Sequence, residues 1–240
     1  MDRPLDRYVR DGAIVAGGAA AILLQVADPV VARGVAARSS FAVDPLRRLR
    51  HTLTFVYGVL AGDERQRERV VAFTDRAHDD VPGAREVDRQ LWVAATLYAV
   101  GRDVQGRLWG PLSPALDAEV LAASAALGTV LQVPAERWPA DPAAFDAYWR
   151  DAVAALEVGD DARAIAHDLL HPRHVPWWAR GAMPLVRAIT PTLLPRSVAE
   201  AYGFPARDAR AAWALLRVLV RITPHRLRSL PARRLLAALG

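Results

Sequence analysis

The chain has 240 residues, of which 52% are hydrophobic and 24% are charged, and this is the composition of a globular domain with a large core. It contains no cysteine, which excludes disulfides, zinc–thiolate sites, iron–sulfur clusters and cysteine nucleophiles. All 31 basic residues are arginine, so lysine Schiff bases and a P-loop lysine are excluded as well.

The formal net charge of +5 is unevenly distributed along the chain. Residues 205–240 hold eight arginines and one acidic residue, Asp208. Such a basic tail could contact nucleic acid or an anionic membrane surface. Its apolar residues, however, have the spacing of packing residues: Trp213, Leu216, Val220 and Leu227. We therefore expect a tail helix packed on the domain and no nucleic-acid partner, while a peripheral membrane contact stays open.

The first apolar run along the chain is Ala13–Ala27. It is shorter than the ~20 residues that a membrane-spanning helix needs. A signal peptide has a positively charged start, whereas here acidic residues offset the arginines: Asp2, Asp6 and Asp11. We expect a buried core helix in a cytoplasmic protein, with close helix packing at Gly17-Gly18.

Helix start and stop signals continue along the chain. Three cap residues each precede a proline, in the pairs Asp44-Pro45, Ser113-Pro114 and Asp141-Pro142. Asp63 and Gln66 have the spacing of a capping box that opens a helix ending near Asp80, before Pro82-Gly83. Further helices are predicted over 89–104, 142–156, 161–170, 184–194 and 207–222. Because no stretch shows a strand pattern, repeat or linker, the sequence predicts a single compact, all-α, multi-helix domain over residues 1–240.

Histidines carry most of the chemical signal, because the common nucleotide-binding, hydrolase, zinc-protease and calcium motifs are absent from the sequence. His167, His171 and His174 have a spacing that can bind a transition metal. Only Asp168 accompanies them as a carboxylate. A polar helix end is therefore the favoured interpretation of this group.

A second group lies further towards the N-terminus. Arg48, His51 and Thr52 are spaced to share one face of one helix, and His78 lies near the end of the next helix. Two antiparallel helices joined near Gly62 could face each other across a pocket. One imidazole opposite arginine, histidine and threonine suits a haem. On spacing alone, two ordinary helix histidines remain the simpler interpretation.

Short motifs occur in order along roughly residues 13 to 205. They include Leu24-Gln25-Val26-Ala27-Asp28-Pro29, Ser39-Ser40-Phe41, Pro45-Leu46-Arg47-Arg48-Leu49-Arg50-His51-Thr52-Leu53, His78-x-x-Val81-x-Gly83, Leu131-Gln132-Val133-Pro134 and Ala201-Tyr202-Gly203. Taken together and in this order, the motifs resemble those of the mpaB/rubber-oxygenase (latex-clearing protein) family. The resemblance implies an all-α, globin-reminiscent fold that holds a b-type haem through one histidine. It also implies an oxygenase that uses O2 to cleave carbon–carbon double bonds in isoprenoid chains.

The resemblance further implies roles for individual residues. By position, His78 corresponds to the axial ligand of the haem iron. Arg48 and Thr52 correspond to the polar residues beside the haem. Asp28 and Phe41, which also lie in the matching motifs, are predicted to contact the cofactor.

The chain departs from the family pattern at several positions. The rubber-cleaving members have lysine just before the threonine, where this chain has His51. Many relatives have histidine where this chain has other residues: Asp28, Arg38 and Ala94. His78 is therefore the remaining residue that matches the ligand position.

Two functions follow as hypotheses. The first is a haem b-dependent oxygenase that acts with O2 on an apolar, isoprenoid or lipid-like unsaturated substrate, small or polymeric. Arg48, His51 and Thr52 would be its catalytic residues in a dry pocket. Arg48 and His51 would stabilise negative charge on the reacting oxygen atoms, and Thr52 would hydrogen-bond the distal ligand. The second is a non-catalytic helical haem- or lipid-binding protein. An absorption spectrum and oxygen consumption distinguish the two.

Overall fold

A computed structural model of the chain describes residues 3–37, 45–79, 81–173, 175–206 and 208–240. Within these ranges every regular element is helical and none is a strand, which confirms the predicted all-α class. The helices are α1 (Pro4–Arg10), α2 (Gly18–Val26), α3 (Pro29–Ala36), α4 (Pro45–Ala61), α5 (Glu64–His78), α6 (Val87–Trp109), α7 (Pro114–Ser124), α8 (Ala126–Thr129), α9 (Pro142–Ala154), α10 (Asp160–Leu170), α11 (Trp177–Ile189), α12 (Arg196–Ala201), α13 (Arg210–Ile222), α14 (His225–Arg228) and α15 (Leu230–Ala237).

The predicted cap residues begin the helices that follow them. The side chains of Ser113 and Asp141 accept hydrogen bonds from backbone N–H groups in the first turns of α7 and α9. Asp63 and Gln66 form a reciprocal capping box at the start of α5. Each contact satisfies a backbone N–H that the helix itself leaves without a partner. Asp44, the third predicted cap, lies outside the described residues.

The predicted helix over Ala13–Ala27 is divided in two. Residues Gly12–Gly17 form a 3-10 segment, and α2 begins at Gly18. A Cβ atom at Gly17 would overlap Val100 of α6, so the two backbones can approach closely only because this residue is glycine. Close packing at this glycine and burial of α2 are therefore confirmed, and the continuous helix is wrong.

Membrane-spanning potential is limited in the described ranges. No single helix there is both long and apolar enough to cross a bilayer, and one pair bent by 47°, Pro4–Arg10 with Gly12–Val26, meets the criteria only when taken together.

Helix α6 is the centre of the core and spans 23 residues. Trp92 and Val104 on one side of α6 pack with α2 and α10. Leu91 and Tyr98 on another side pack with α4, α7 and Phe145 of α9. Helix α6 therefore contributes side chains to both hydrophobic clusters of the core.

The predicted helix over 184–194 is displaced in the structure. Helix α11 begins at Trp177, contains Pro184 in its interior and ends at Ile189. Proline usually marks a helix start, because it lacks the N–H that an interior position donates. Here Ala179 and Ile189 are buried on either side of Pro184, and this packing keeps the segment helical through it.

The basic tail packs on the domain, as predicted. Ala232 and Leu236 of α15 are buried against Tyr57 of α4. His225 in the tail is largely covered, and its Nε2 atom lies 3.2 Å from the carbonyl oxygen of Arg7. The tail therefore supports α4, the helix that carries His51 and Thr52.

Candidate functional site

A cavity of about 460 Å³ lies between α2, α3, α4, α5 and α6. Its volume falls in the range of ~300–1,000 Å³ that is usual for small-molecule sites. The walls are mainly apolar and include Val30, Val35, Phe55, Val81 and Val93. This cavity is the candidate active site, because it is also where the histidines predicted from sequence meet.

His51 and Thr52 of α4 and His78 of α5 all line this cavity. The two helices form an antiparallel hairpin. Gly58 lets them approach closely, since a Cβ atom there would be 2.8 Å from the methyl groups of Val70. The structure therefore brings together three residues that the sequence predicted to share one pocket.

The environment of His51 includes an aromatic contact. Its ring meets the ring of Phe73 edge-on, with 5.3 Å between the centroids and 77° between the planes. Phe73 lines the same cavity and is 49% exposed, so it lies where the cavity meets solvent. His51 is thus held against the second helix of the hairpin.

The other predicted site residues differ in their placement. Asp28 caps α3, where its Oδ1 atom accepts hydrogen bonds from the N–H groups of Val30 at 2.7 Å and Val31 at 3.0 Å. Phe41 and the side chain of Arg48 lie outside the described residues. The cofactor contacts predicted for these residues stay predictions.

Arg89 is a cavity residue that the sequence analysis did not identify. Its Nε atom is buried, lies 3.7 Å from Asp28 Oδ1, and makes no hydrogen bond within the described residues. Its guanidinium group also pairs with Glu86. A cation on an apolar wall can bind a carboxylate group of a ligand. The arginine occurs just after a helix start, where nothing in the local pattern distinguishes it from a surface residue.

A glutamine network connects α5 to α6 beside the cavity. The buried amide of Gln90 donates to the carbonyl oxygen of Ala84 at 2.9 Å and accepts from the backbone N–H of Gln132 at 2.9 Å. Gln132 in turn donates from Nε2 to Asp75 Oδ1 at 3.0 Å. Asp75 is one turn before His78, so the network fixes the helix that carries this histidine. The sequence signal that could have identified Gln90 is its place as a polar residue directly before the apolar run that starts at Leu91.

Asp75 and Asp79, three residues before and one residue after His78, both face Arg85. The Asp75 carboxylate lies 3.4 Å from the Arg85 guanidinium, and Asp79 forms an ion pair with the same group. Arg85 therefore balances the charge of both carboxylates.

Within the described residues, the histidine group near residue 170 does not form a metal site. His167 and His171 stack with 5.0 Å between ring centroids, and His167 lies 3.6 Å from Asp168. His174 lies outside the described residues. In the described part of the chain, no three histidine, aspartate or glutamate side chains are grouped to hold a metal ion.

A second, smaller cavity of about 110 Å³ adjoins the first. Four residues line both: Ile22, Gln25, Thr52 and Leu127. Tyr57 also lines the smaller cavity, and burial raises the pKa of this tyrosine to about 12, so its hydroxyl is neutral at physiological pH. Thr52 therefore lies between the two cavities, both of which are mainly apolar.

Comparisons with known proteins place the chain among related sequences. The family model described as "ER-bound oxygenase mpaB/B'/Rubber oxygenase, catalytic domain" matches residues 6–224. Two uncharacterised proteins, from Mycobacterium bovis and Mycobacterium tuberculosis, are each 32% identical over 227 residues. Each match covers 87% of this chain and 89% of the relative. No solved structure matches the chain significantly.

Proposed function

The chain belongs to the mpaB/rubber-oxygenase family, an oxygenase catalytic domain, and from this premise we propose that it is a haem b-dependent oxygenase. We further propose that it uses O2 on an apolar, isoprenoid or lipid-like unsaturated substrate. The observation that carries the proposal is the mainly apolar cavity of about 460 Å³ that collects His51, Thr52 and His78 from two packed helices.

The residues around the cavity fit a b-type haem. An imidazole is a common axial ligand of haem iron, and the chain has no cysteine that could replace it. Arg89 places a buried cationic Nε atom at the wall, where it can bind a carboxylate such as a haem propionate. When bound, the haem would supply the binding and activation of O2.

The protein's own contribution is binding, orientation and electrostatics. His78 would hold the cofactor through a ring nitrogen, while the glutamine network fixes α5 one turn earlier. A ring N–H of His51 and the hydroxyl of Thr52 would donate hydrogen bonds where negative charge develops on the reacting oxygen atoms. The apolar walls exclude water and so strengthen these hydrogen bonds. Arg48 would add a cation beside them, as the family resemblance implies.

The lining of the cavity also supports the substrate class. Aliphatic and phenylalanine side chains form most of its walls, and they favour an uncharged hydrocarbon over a polar substrate. The adjoining cavity of about 110 Å³ beyond Thr52 adds further apolar space for part of a chain-like substrate.

Replacement of His78 tests the proposal most directly. We expect His78→Ala, reconstituted with haem, to lose the Soret absorbance of the wild-type protein or to shift it to that of loosely bound haem. Circular dichroism should show unchanged helical content. His167→Ala is the matched control, because His167 is an exposed histidine on α10, and it should keep the wild-type spectrum.

Two outcomes would contradict the proposal. A His78→Ala protein with wild-type haem content and spectrum would move the ligand to His51 or remove haem from the function. A wild-type protein that binds haem but consumes no oxygen with any unsaturated isoprenoid or lipid would favour a haem- or lipid-binding protein. This second function is kept as the alternative because the chain has His51 where the rubber-cleaving members have lysine.

A further inference from the structure

Helix α13 carries an apolar stripe on its outer face. Four residues at helical spacing form this stripe: Leu215, Val218, Leu219 and Ile222. Their side chains remain 52%, 54%, 42% and 69% exposed. A contiguous group of large exposed apolar residues on one helix face is typical of an interaction site.

The stripe is held outward by the packing of the rest of the helix. Trp213 and Val220 on the inner face of α13 are buried. The indole N–H of Trp213 donates to Thr192 Oγ1 at 3.1 Å, and the Arg107 guanidinium lies 5.2 Å from the indole ring centre. The helix is therefore anchored by its inner face, and its apolar residues continue around the helix beyond the part that the core covers.

Arginines border the stripe, and no acidic residue follows Asp208 in the sequence. Arg217 donates from Nε to the carbonyl oxygen of Arg107 at 2.8 Å, which ties it to α6. Arg221 at the end of α13 and Arg226 in α14 are exposed. The segment that carries the stripe is thus cationic, because all of its charged side chains after Asp208 are arginines.

We propose that the apolar stripe of α13 docks on an anionic lipid bilayer. The stripe would enter the boundary between headgroups and acyl chains, and Arg221 and Arg226 would meet the lipid phosphates. A helix with one apolar face and arginine beside it is the usual form of an interfacial membrane helix. Anionic headgroups also attract arginine at short range.

Two other possible occupants of this surface, a second copy of the chain and a nucleic acid, fit it less well. A symmetric contact between two copies of the chain would bring the same stripe, and therefore the same arginines, next to each other. A nucleic acid would satisfy the arginines, but it would leave four large apolar side chains against a polar backbone. An anionic bilayer satisfies both the apolar and the cationic part of the surface.

This inference is independent of the proposed haem site. Helix α13 contacts α6 near Arg107, whereas the cavity is lined by Arg89 and Val93 near the other end of α6. The separation along α6 is roughly 21–27 Å at a rise of about 1.5 Å per residue. Changes in the stripe should therefore leave the haem spectrum unchanged.

Co-sedimentation of the full chain with lipid vesicles tests the proposal. We expect binding to vesicles of phosphatidylcholine mixed with phosphatidylglycerol, and weak binding to phosphatidylcholine alone. Added salt should weaken the binding, because it screens the arginine–phosphate attraction. Equal binding to both kinds of vesicle would overturn the proposal.

Variants separate the apolar contribution from the cationic one. Leu219→Ser should weaken vesicle binding roughly tenfold, since one leucine no longer enters the apolar layer. Arg221→Gln and Arg226→Gln should each weaken it by about fivefold. Leu219→Met, which keeps the apolar surface, should bind like wild type. Arg196→Gln on α12 removes the same charge from a side chain that is paired with Glu200, and it should also bind like wild type.

Circular dichroism of each variant establishes that the fold is kept. Vesicle binding unchanged by Leu219→Ser, in a folded protein, would overturn the proposal. A dimer in sedimentation velocity that Leu219→Ser dissociates, without any vesicle binding, would assign the stripe to a second copy. Tight binding of duplex DNA that competes with vesicles would assign the surface to nucleic acid.

Discussion

A buried ion pair joins the two ends of the chain, and its removal should destabilise the fold strongly. Arg228 donates to both carboxylate oxygens of Asp11, with distances of 2.8–3.0 Å. Its Nη1 atom also donates to the carbonyl oxygens of Val220 at 2.7 Å and Thr223 at 2.5 Å, where α13 ends. The guanidinium lies 5.5 Å from the ring centre of Trp109. The perturbation we consider is Arg228→Met, which keeps the side-chain stem and removes the charge.

The expected magnitude follows from burial. The side chains of Asp11 and Arg228 are only 8% and 15% exposed, so Arg228→Met leaves a carboxylate in a largely dry environment. Breaking one partner of such a buried pair costs about 3–5 kcal/mol. This is a large share of the ~5–15 kcal/mol that stabilises a typical domain. For a chain of this length the melting temperature should fall by roughly 6–20 °C.

Thermal and urea denaturation followed by circular dichroism measure this loss. Arg196→Met is the control, because Arg196 forms a solvent-exposed ion pair with Glu200, and it should leave stability unchanged. In a double-mutant cycle, Asp11→Asn should be less damaging in the Arg228→Met background than alone. A loss below about 1 kcal/mol for Arg228→Met, or additive effects of the two changes, would refute the reasoning.

Two further predictions concern stability. Burial raises the pKa of all five tyrosines above the ordinary value of 10.0, so the unfolded chain loses these protons first and stability should fall as the pH rises above 10. Tyr57, with its pKa of about 12, contributes up to about 3 kcal/mol of this loss by pH 12. Tyrosinate absorbance that appears near pH 10 without unfolding would contradict the prediction. Gly17→Ala should cost about 1–3 kcal/mol, because the new methyl group overlaps Val100. Gly106→Ala, where nothing lies within 4 Å of the new Cβ atom, should instead stabilise helix α6 by about 0.5–1 kcal/mol in urea denaturation. Equal effects of the two alanine substitutions would contradict the packing argument.

Local sequence signals predicted most of the helices and part of the candidate site. Ser113, Asp141 and the pair Asp63–Gln66 identify helix starts because a cap acts on backbone groups within three residues of itself. His51 and Thr52 share a cavity with His78 because a short turn forces their two helices to be neighbours. These features depend on contacts close in sequence, which a local pattern records.

The features that the sequence did not predict depend on distant contacts. Pro184 lies inside α11 because buried residues on both sides hold the helix, and the helix of Ala13–Ala27 is divided where it meets Val100. The Gln90–Gln132 pair joins residues 42 apart, and the Asp11–Arg228 pair joins residues 217 apart.

The apolar stripe of α13 shows the same division between sequence and structure. Composition and period alone determined that α13 is amphipathic and basic, and Trp213 was correctly predicted to pack. Leu227 was expected to pack as well, yet it is 55% exposed. Periodicity states which residues share a helix face, but burial depends on which neighbouring helices reach that face. The sequence therefore determined most of the helices and their chemistry, and only tertiary packing decided which apolar residues form the core and which stay exposed to a partner.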